Sequence, residues 1–127
     1  GNTIDGTAAE GLGVRSFDTS TLTAVLTGNT IAGNRPVDLF GSAFGDLFGA
    51  SFQTSTLCAR ITGNVVSGAG GITAEARDGS SFLIDGIAGA PPHAAGTVAS
   101  HLLAVNTTGF AGAARDVTAT FGTCTIP

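Results

Sequence analysis

Residues 16–33 read SFDTSTLTAVLTGNTIAG, residues 51–68 read SFQTSTLCARITGNVVSG, and these two copies of one sequence decide the fold. They are identical at 11 of 18 aligned positions. Residues 1–6, GNTIDG, match the end of both copies. A repeat unit of this size cannot bury its apolar face alone and stacks on a neighbouring unit. The chain is therefore expected to be part of a repeat array, with a single domain over residues 1–127.

Each copy is predicted to contain a strand, because inward-type aliphatic residues recur at every second position. Leu22, Ala24 and Leu26 alternate with threonines and a valine, and their equivalents in the second copy are also aliphatic. Such alternation is typical of a strand that is buried on one face. A Gly-Asn pair follows, and both residue types tolerate positive φ, so the pattern predicts a corner and then a second short strand.

A strand, a corner, a strand and a second corner, repeated in register, describe a coil of parallel strands. Equivalent residues of successive coils then lie roughly 4.8 Å apart. This spacing places Asn2, Asn29 and Asn64 in one column. Side-chain amides in such a column can hydrogen-bond to one another along the axis of the coil.

The segments that connect the repeats differ in length, as surface loops do. Residues 34–50 form the longer one, a Phe- and Gly-rich insertion that contains Phe40, Phe44 and Phe48. Their spacing suits one face of a helix, but the intervening glycines oppose a helix. The segment either folds against the coil or exposes its Phe side chains as a surface for self-association or ligand binding.

The element I/L-x-G-N-x-I/V-x-G, present at residues 26–33 and 61–68, is similar to the repeat of right-handed parallel β-helix proteins, the pectate-lyase-like superfamily. The later part contains LCARITGNVVSGAGG, SFLIDGIAGAPP, an Ala-rich stretch and a final Cys. It resembles the C-terminal end of large secreted bacterial β-helix proteins, which are mostly surface proteins with few assigned activities. The resemblance implies an all-β, right-handed parallel β-helix, with repeat coils over residues 1–72 and terminal coils over residues 73–127.

The composition favours a secreted, structural protein. Only 11% of the residues are charged, 20 are Gly, and Lys, Met, Trp and Tyr are absent. The net charge of −4 comes without a cluster of basic residues, which argues against nucleic-acid binding. No apolar run approaches the ~18 residues of a membrane span. No motif for a cofactor is found.

The two cysteines, Cys58 and Cys124, support the same compartment. In a Thr-rich chain with the composition of a secreted protein, they are expected to form a disulfide that ties the C-terminal strand onto the outside of the last clear coil. The alternative is two free thiols. A metal site is not predicted, because neither cysteine has a further Cys or a His at ligand spacing.

Residues 97–106, TVASHLLAVN, are the one segment with a helical pattern, because Val98, Leu102 and Val105 fall on one face. Such a helix can cap the apolar interior of the last coil. The N-terminus, which starts in mid-repeat, exposes an edge that is a template for another chain. Either further coils precede it, or a second subunit fills it head to tail, which generates a filament.

No catalytic constellation is found among the acidic residues or histidines. Neither His93 nor His101 has a carboxylate or Cys partner at a sequence spacing that would indicate a catalytic or metal-binding role. The sequon at Asn106 is a candidate glycosylation site. Seven aspartates are scattered along the chain, mostly in turn-like sequence: Asp5, Asp18, Asp38, Asp46, Asp78, Asp85 and Asp116.

Together these features predict a non-enzymatic extracellular module, structural or adhesive, whose partners are copies of itself, a glycan or other surface proteins. It is expected to self-assemble head to tail through its open N-terminal coil. The alternative is a glycan-binding or glycan-cleaving β-helix whose catalytic coils lie upstream. A third hypothesis is an ice-binding face, because Thr19, Thr21 and Thr23 align with Thr54, Thr56 and Cys58.

Overall fold

The computed structural model describes residues 1–5, 11–32, 47–68 and 70–127. Within these ranges the chain forms short strands and one helix. In chain order they are β1 (Thr3–Asp5), β2 (Leu12–Ser16), β3 (Thr21–Thr27), β4 (Thr30–Ala32), β5 (Leu47–Ser51), β6 (Thr56–Thr62), β7 (Val65–Val66), β8 (Ile72–Ala76), β9 (Ser81–Asp85), α1 (Ala95–Val105), β10 (Thr107–Thr108), β11 (Ala111–Arg115) and β12 (Thr120–Cys124).

The strands form three parallel sheets that run the length of the molecule. Sheet A has the order β1-β4-β7-β10, sheet B the order β2-β5-β8-β11 and sheet C the order β3-β6-β9-β12. Each run of three strands, one in each sheet, is one coil, and coils 1 to 4 begin at β1, β4, β7 and β10. The fold is therefore an all-β parallel β-helix with one helix, which confirms the predicted fold class.

The pairing of β3 with β6 reproduces the alignment of the two sequence copies. Thr21 lies beside Thr56 and Thr27 beside Thr62, so equivalent repeat positions are neighbours in sheet C. Inward residues of the coils, from the end of β3 onward, and of α1 form one buried core. Its members include Leu26, Ile31, Leu57, Ala59, Ile61, Val66, Ile72, Ala74, Ala76, Phe82, Ile84, Val98, Leu102 and Phe121. Burying one large aliphatic or aromatic side chain contributes roughly 1.5–3 kcal/mol.

Sheet B was not expected, since the sequence pattern predicted only two strands in each repeat. Its strands β2 and β5 lie in the segments between the repeats, and β5 begins at Leu47 inside the Phe- and Gly-rich insertion. A glycine takes a central inward position of β5, because a Cβ atom on Gly49 would lie 3.0 Å from the Phe82 ring. Phe82 of sheet C thus fills the core space beside Gly49. Strand β5 therefore has no large apolar residue at this inward position, and the alternation of apolar and polar residues that indicates a strand is lost.

The remainder of the insertion, with Phe40 and Phe44, lies outside the described residues. Phe48 belongs to β5, where it pairs with Gly13 of β2 and Thr73 of β8, but its side chain also lies outside the described part of the structure. The predicted self-association role of these three phenylalanines therefore stays a prediction.

Helix α1 spans Ala95–Val105, close to the expected range of residues 97–106. It lies between coils 3 and 4 in the chain rather than after the last coil, and it packs mainly on β11 of coil 4. Val98 and Leu102 are fully buried in the core. The segment before α1 follows the free side of β12, where the His93 backbone N–H donates to the carbonyl oxygen of Phe121 at 2.8 Å. Helix α1 therefore contacts the last strand of sheet B, and the segment before it contacts the last strand of sheet C.

Candidate functional site

A ladder of asparagines runs along the corner between sheets C and A. Asn29 and Asn64 directly follow Gly28 and Gly63, which adopt φ of 65° and 67° at the corner, a conformation that favours glycine. The Asn2 side-chain nitrogen Nδ2 donates to Asn29 Oδ1 at 3.0 Å, and Asn29 Nδ2 donates to Asn64 Oδ1 at 2.9 Å. The residues that the repeat aligned in one column therefore hydrogen-bond along it.

Asn106 is the fourth member of the asparagine ladder. Its Oδ1 accepts from Asn64 Nδ2 at 2.9 Å, and its Nδ2 donates to the carbonyl oxygens of Ile61 and Leu102, both at 3.0 Å. The sequence marked Asn106 only as a glycosylation site. A glycan would be attached to Nδ2, the atom that makes both of these donations, so the geometry favours the structural role. The sequence signal for this role is the similarity of residues 106–108, Asn-Thr-Thr, to residues 29–31, Asn-Thr-Ile, which follow the corner in the first repeat copy.

The asparagine ladder has a direction and ends on the helix. The Nδ2 atoms of Asn2, Asn29 and Asn64 each donate to the next asparagine toward the C-terminus. At Asn106 the carbonyl oxygen of Leu102, in α1, takes the place of a next asparagine. Asn29 and Asn64 are buried, whereas Asn2 is exposed. The last donor is thus satisfied within the chain, and the first acceptor, Asn2 Oδ1, lies in the exposed coil 1.

Buried serine pairs join successive coils at the corner between sheets B and C. Ser16 Oγ lies 2.9 Å from Ser55 Oγ, and one coil further on Ser51 Oγ lies 2.9 Å from Ser80 Oγ. Ser55 Oγ also lies 3.1 Å from the Ser16 carbonyl oxygen, and Ser80 Oγ lies 2.8 Å from the Ser51 carbonyl oxygen. All four side chains are buried, so the hydroxyls satisfy one another where water has no access.

The next pair of equivalent positions carries no hydroxyl. Ala76 lies beside Ser51 in sheet B, and Ala119 directly precedes Thr120, the partner of Ser81 in sheet C. Both alanines are buried. Because both members of this pair are alanine, no lone hydroxyl is buried there.

The predicted disulfide between Cys58 and Cys124 is present. It joins β6 to β12 across the intervening strand β9, over a sequence separation of 66 residues. Arg60 Nε donates to Asp85 Oδ2 at 2.6 Å and a second Arg60 nitrogen to the Ile126 carbonyl oxygen. The Ile126 N–H donates to Asp85 Oδ1 at 3.1 Å. The C-terminal tail, residues 125–127, is thereby fixed on the outer face of sheet C, which explains why the outward-facing Cys58 is buried.

Acid should weaken this attachment through Asp85. The Arg60 hydrogen bond, and secondarily that of the Ile126 N–H, lowers the pKa of Asp85. A lowered pKa means that the ionised carboxylate stabilises the fold above its ordinary pKa, and that this contribution is lost as pH falls through the folded-state value. The difference in thermal stability between the native chain and Asp85→Asn should therefore shrink below about pH 4. A difference that stays constant down to about pH 2 would contradict this role.

A shallow groove of about 430 Å³ lies on the outside of coils 3 and 4. Its charged lining residues are Glu75, Arg77, Asp78, Arg115 and Asp116. Glu75 pairs with Arg77, and Asp116 accepts the Asp78 N–H, which is the main reason why the pKa of Asp116 is lowered. The Glu75 and Asp116 carboxylates are thus engaged in structural contacts, and both arginines of the groove, Arg77 and Arg115, are exposed.

The other predicted candidates do not converge on one site. His93 is buried with no partner for Nε2 among the described residues, and burial lowers the pKa of His101. Thr21 and Thr56 are neighbours, but beside Thr23 stands the disulfide-bonded Cys58, so the threonine face is interrupted. No group of three or more potential metal ligands, and no helix long and apolar enough to cross a membrane, occurs in the described parts of the chain.

The comparisons with known proteins identify no relative. No protein-family model matches the chain, no curated protein matches it, and no solved structure matches it. The resemblance to the pectate-lyase-like superfamily accordingly stays a prediction from the repeat motif, while the parallel β-helix itself rests on the observed strand pairing.

Proposed function

We propose that this chain is a non-enzymatic structural or adhesive module that closes the C-terminal end of an extracellular β-helix of the pectate-lyase-like kind. The observation that carries the proposal is the difference between the two ends of the coil. At one end, α1 buries Val98 and Leu102 and provides the carbonyl that terminates the asparagine ladder. At the other end, the inward residues Leu22 and Ala24 are partly exposed.

The use of the polar groups supports a structural rather than a catalytic role. Buried Ser and Asn side chains hydrogen-bond between coils, and Asp85 and Asp116 accept from the backbone or from Arg60. General acid–base catalysis requires a positioned group that is able to exchange protons with a substrate. Groups committed to the fold are poorly suited to that exchange.

An extracellular location is supported by the disulfide and the composition. Disulfides persist in oxidising compartments and are rare in reducing ones. The disulfide between Cys58 and Cys124 fixes a tail that is otherwise held by the contacts of Ile126 with Arg60 and Asp85. The proposed adhesive partners are glycans or other surface proteins.

The proposal includes a filament form, in which coil 1 of one copy stacks on coil 4 of another. Helix α1 packs on β11 of coil 4, so head-to-tail stacking requires α1 to move away. A contact of this kind does not close on itself and therefore grows into a fibre. In the isolated native chain we expect α1 to stay in place and the protein to be monomeric.

Displacing α1 tests this function. Val98→Asp places a carboxylate at a fully buried position, so we expect α1 to detach and ordered filaments to form. Sedimentation velocity and electron microscopy would detect them, and circular dichroism would show that the β-structure is retained. Ser100→Asp, at an exposed position of the same helix, is the matched control and should stay monomeric. A Val98→Asp chain that keeps its β-structure and remains monomeric would contradict the proposal.

The groove on coils 3 and 4 favours glycan binding as the second candidate. Arg115 is exposed there, and a guanidinium can form paired hydrogen bonds with the carboxylate of an acidic sugar. Binding of polyuronates to the native chain, lost in Arg115→Ala, would support this candidate. Cleavage of the polymer would overturn the non-enzymatic assignment.

A further inference from the structure

We infer that the N-terminal edge of coil 1 is a docking site for one more parallel β coil that carries the same serine and asparagine pattern. This inference rests on the proposed structural role and specifies its partner. The N-terminal edge is the outer side of β1, β2 and β3. In the described part of the chain these strands pair only with β4, β5 and β6 respectively.

The asparagine ladder provides the first argument. Asn29 Oδ1 accepts both the backbone N–H and the side-chain Nδ2 of Asn2, each at 3.0 Å. Asn64 Oδ1 accepts the same two groups from Asn29, and Asn106 Oδ1 accepts them from Asn64. Asn2 has the same position in coil 1. A preceding coil with an asparagine at this position would donate the same two hydrogen bonds to Asn2 Oδ1.

Ser20 provides an independent argument at another corner. It is the coil 1 equivalent of Ser55, and both hydroxyls donate to the carbonyl oxygen three residues earlier, at 2.6 Å in Ser20 and 2.7 Å in Ser55. Ser55 also pairs with Ser16, a serine of the preceding coil. Where the preceding coil has an alanine, Ala76, the equivalent position is Ala119. Ser20 therefore specifies a serine in the docking coil.

Apolar burial favours the same occupant. Leu22 and Ala24 are partly exposed in β3, whereas Leu57 and Ala59, their neighbours in β6, are 0% and 1% exposed. Strand β3 contains no charged residue and no proline, the features that usually block pairing at an edge. A strand with the inward Leu-Ala-Leu pattern of β3 would continue the core by one layer.

A second native copy of this chain does not fit the edge. In head-to-tail contact the donor for Asn2 Oδ1 would be Asn106 Nδ2, which already donates to the Ile61 and Leu102 carbonyls. In head-to-head contact two Asn2 acceptors would face each other without a donor supplied by the ladder. The occupant is therefore a parallel β coil whose C-terminal side is open and which carries the serine and asparagine of the repeat.

The strand of this coil that would lie on β3 can be tested as a synthetic peptide. The peptide SFDTSTLTAVLT copies residues 16–27. In the repeat these residues are followed by Gly28, and Gly1 is the equivalent of Gly28, so the bound peptide would end next to Gly1. We expect saturable binding to the full chain by calorimetry, with new protection of β3 amides in hydrogen exchange. A control peptide with aspartate in place of both inward leucines should not bind.

The serine pairing gives the sharper test. Ser20→Ala should weaken binding of the peptide about tenfold, because the first serine of the peptide loses its partner. Thr19→Ala, an exposed neighbour in the same turn, should leave the affinity unchanged. A peptide with alanine at its first position should bind the Ser20→Ala chain better than the serine peptide does, by analogy with Ala76 and Ala119.

Failure of the peptide to bind the folded chain, or protection outside β3, would overturn the inference. Equal binding of the peptides to the native and Ser20→Ala chains would overturn the serine assignment. The proposed function is tested separately through α1 and the glycan groove, so it can fail while the edge still binds the peptide.

Discussion

Replacing Asn64 by leucine should lower the free energy of unfolding by roughly 3 to 6 kcal/mol, a large part of the stability of a domain of this size. Asn64 is fully buried, and its side chain has partners on both sides. Oδ1 accepts from Asn29, and Nδ2 donates to Asn106 Oδ1 and, at 2.8 Å, to the Leu26 carbonyl oxygen. Leucine leaves these groups buried without their partner, and each costs about 1–3 kcal/mol.

The matched control is Asn2→Leu, which removes the first member of the same ladder. Asn2 is exposed, so water can replace the lost contact, and we expect a loss of about 1 kcal/mol or less. Urea unfolding of both variants measures the difference, with an unchanged dependence on urea showing that the unfolded state is unaffected. Similar losses in the two variants would show that the ladder does not stabilise the buried coils.

Asn64→Asp tests the direction of the hydrogen bonds, because aspartate has nearly the same shape as asparagine but, when ionised, donates no hydrogen bond. The new carboxylate would keep the acceptor for Asn29 but would turn an oxygen toward the Leu26 carbonyl and Asn106 Oδ1. Burial beside these acceptors should raise the pKa of the introduced group, so the folded state binds the extra proton more tightly than the unfolded state. Its destabilisation should therefore be smallest below about pH 4 and grow as pH rises. A pH-independent loss would contradict the ladder geometry.

Removing the disulfide should cost about 4 kcal/mol, because the crosslink closes a loop of 66 residues in the unfolded chain. Replacing Cys58 and Cys124 together by serine would lower the melting temperature by roughly 10 to 20 °C. Strand β12 and the C-terminal tail should lose hydrogen-exchange protection first, since the tail would then be attached mainly through the contacts of Ile126 with Arg60 and Asp85.

Reduction of the native chain is the control for the cysteine substitutions. It should produce the same loss of stability as the double substitution, because both remove the same crosslink. A melting temperature that changes by only a few degrees would mean that the coils alone fix the tail. Loss of protection centred on α1 instead of β12 would contradict the proposed order of release.

Sheet C and the asparagine column could be predicted from the sequence because the two repeat copies preserve them position by position. Leu22, Ala24 and Leu26 show which face is inward, and the Gly-Asn pair shows where the chain turns. Both signals are local, and they depend on alternation and on positive φ, which a single sequence displays directly.

Sheet B, and the positions of the strands within the terminal coils predicted over residues 73–127, could not be predicted, because their signals depend on contacts between distant residues. Gly49 occupies an inward position since Phe82 fills the space above it. Coil 3 has Ala76 where the repeat has serine, and its partner Ala119 lies on the far side of α1 in the chain. The role of Asn106 is hidden in the same way, because the helix separates it from the preceding coil.

The Leu102 carbonyl works as a stop signal that is independent of the length of the solenoid. It acts on the last asparagine only, so whole coils added or removed ahead of coil 3 would leave the terminator unchanged. Duplication of a repeat could therefore lengthen such a protein without redesign of its end. The number of repeats would then determine the distance between the end covered by α1 and any partner bound at the other end.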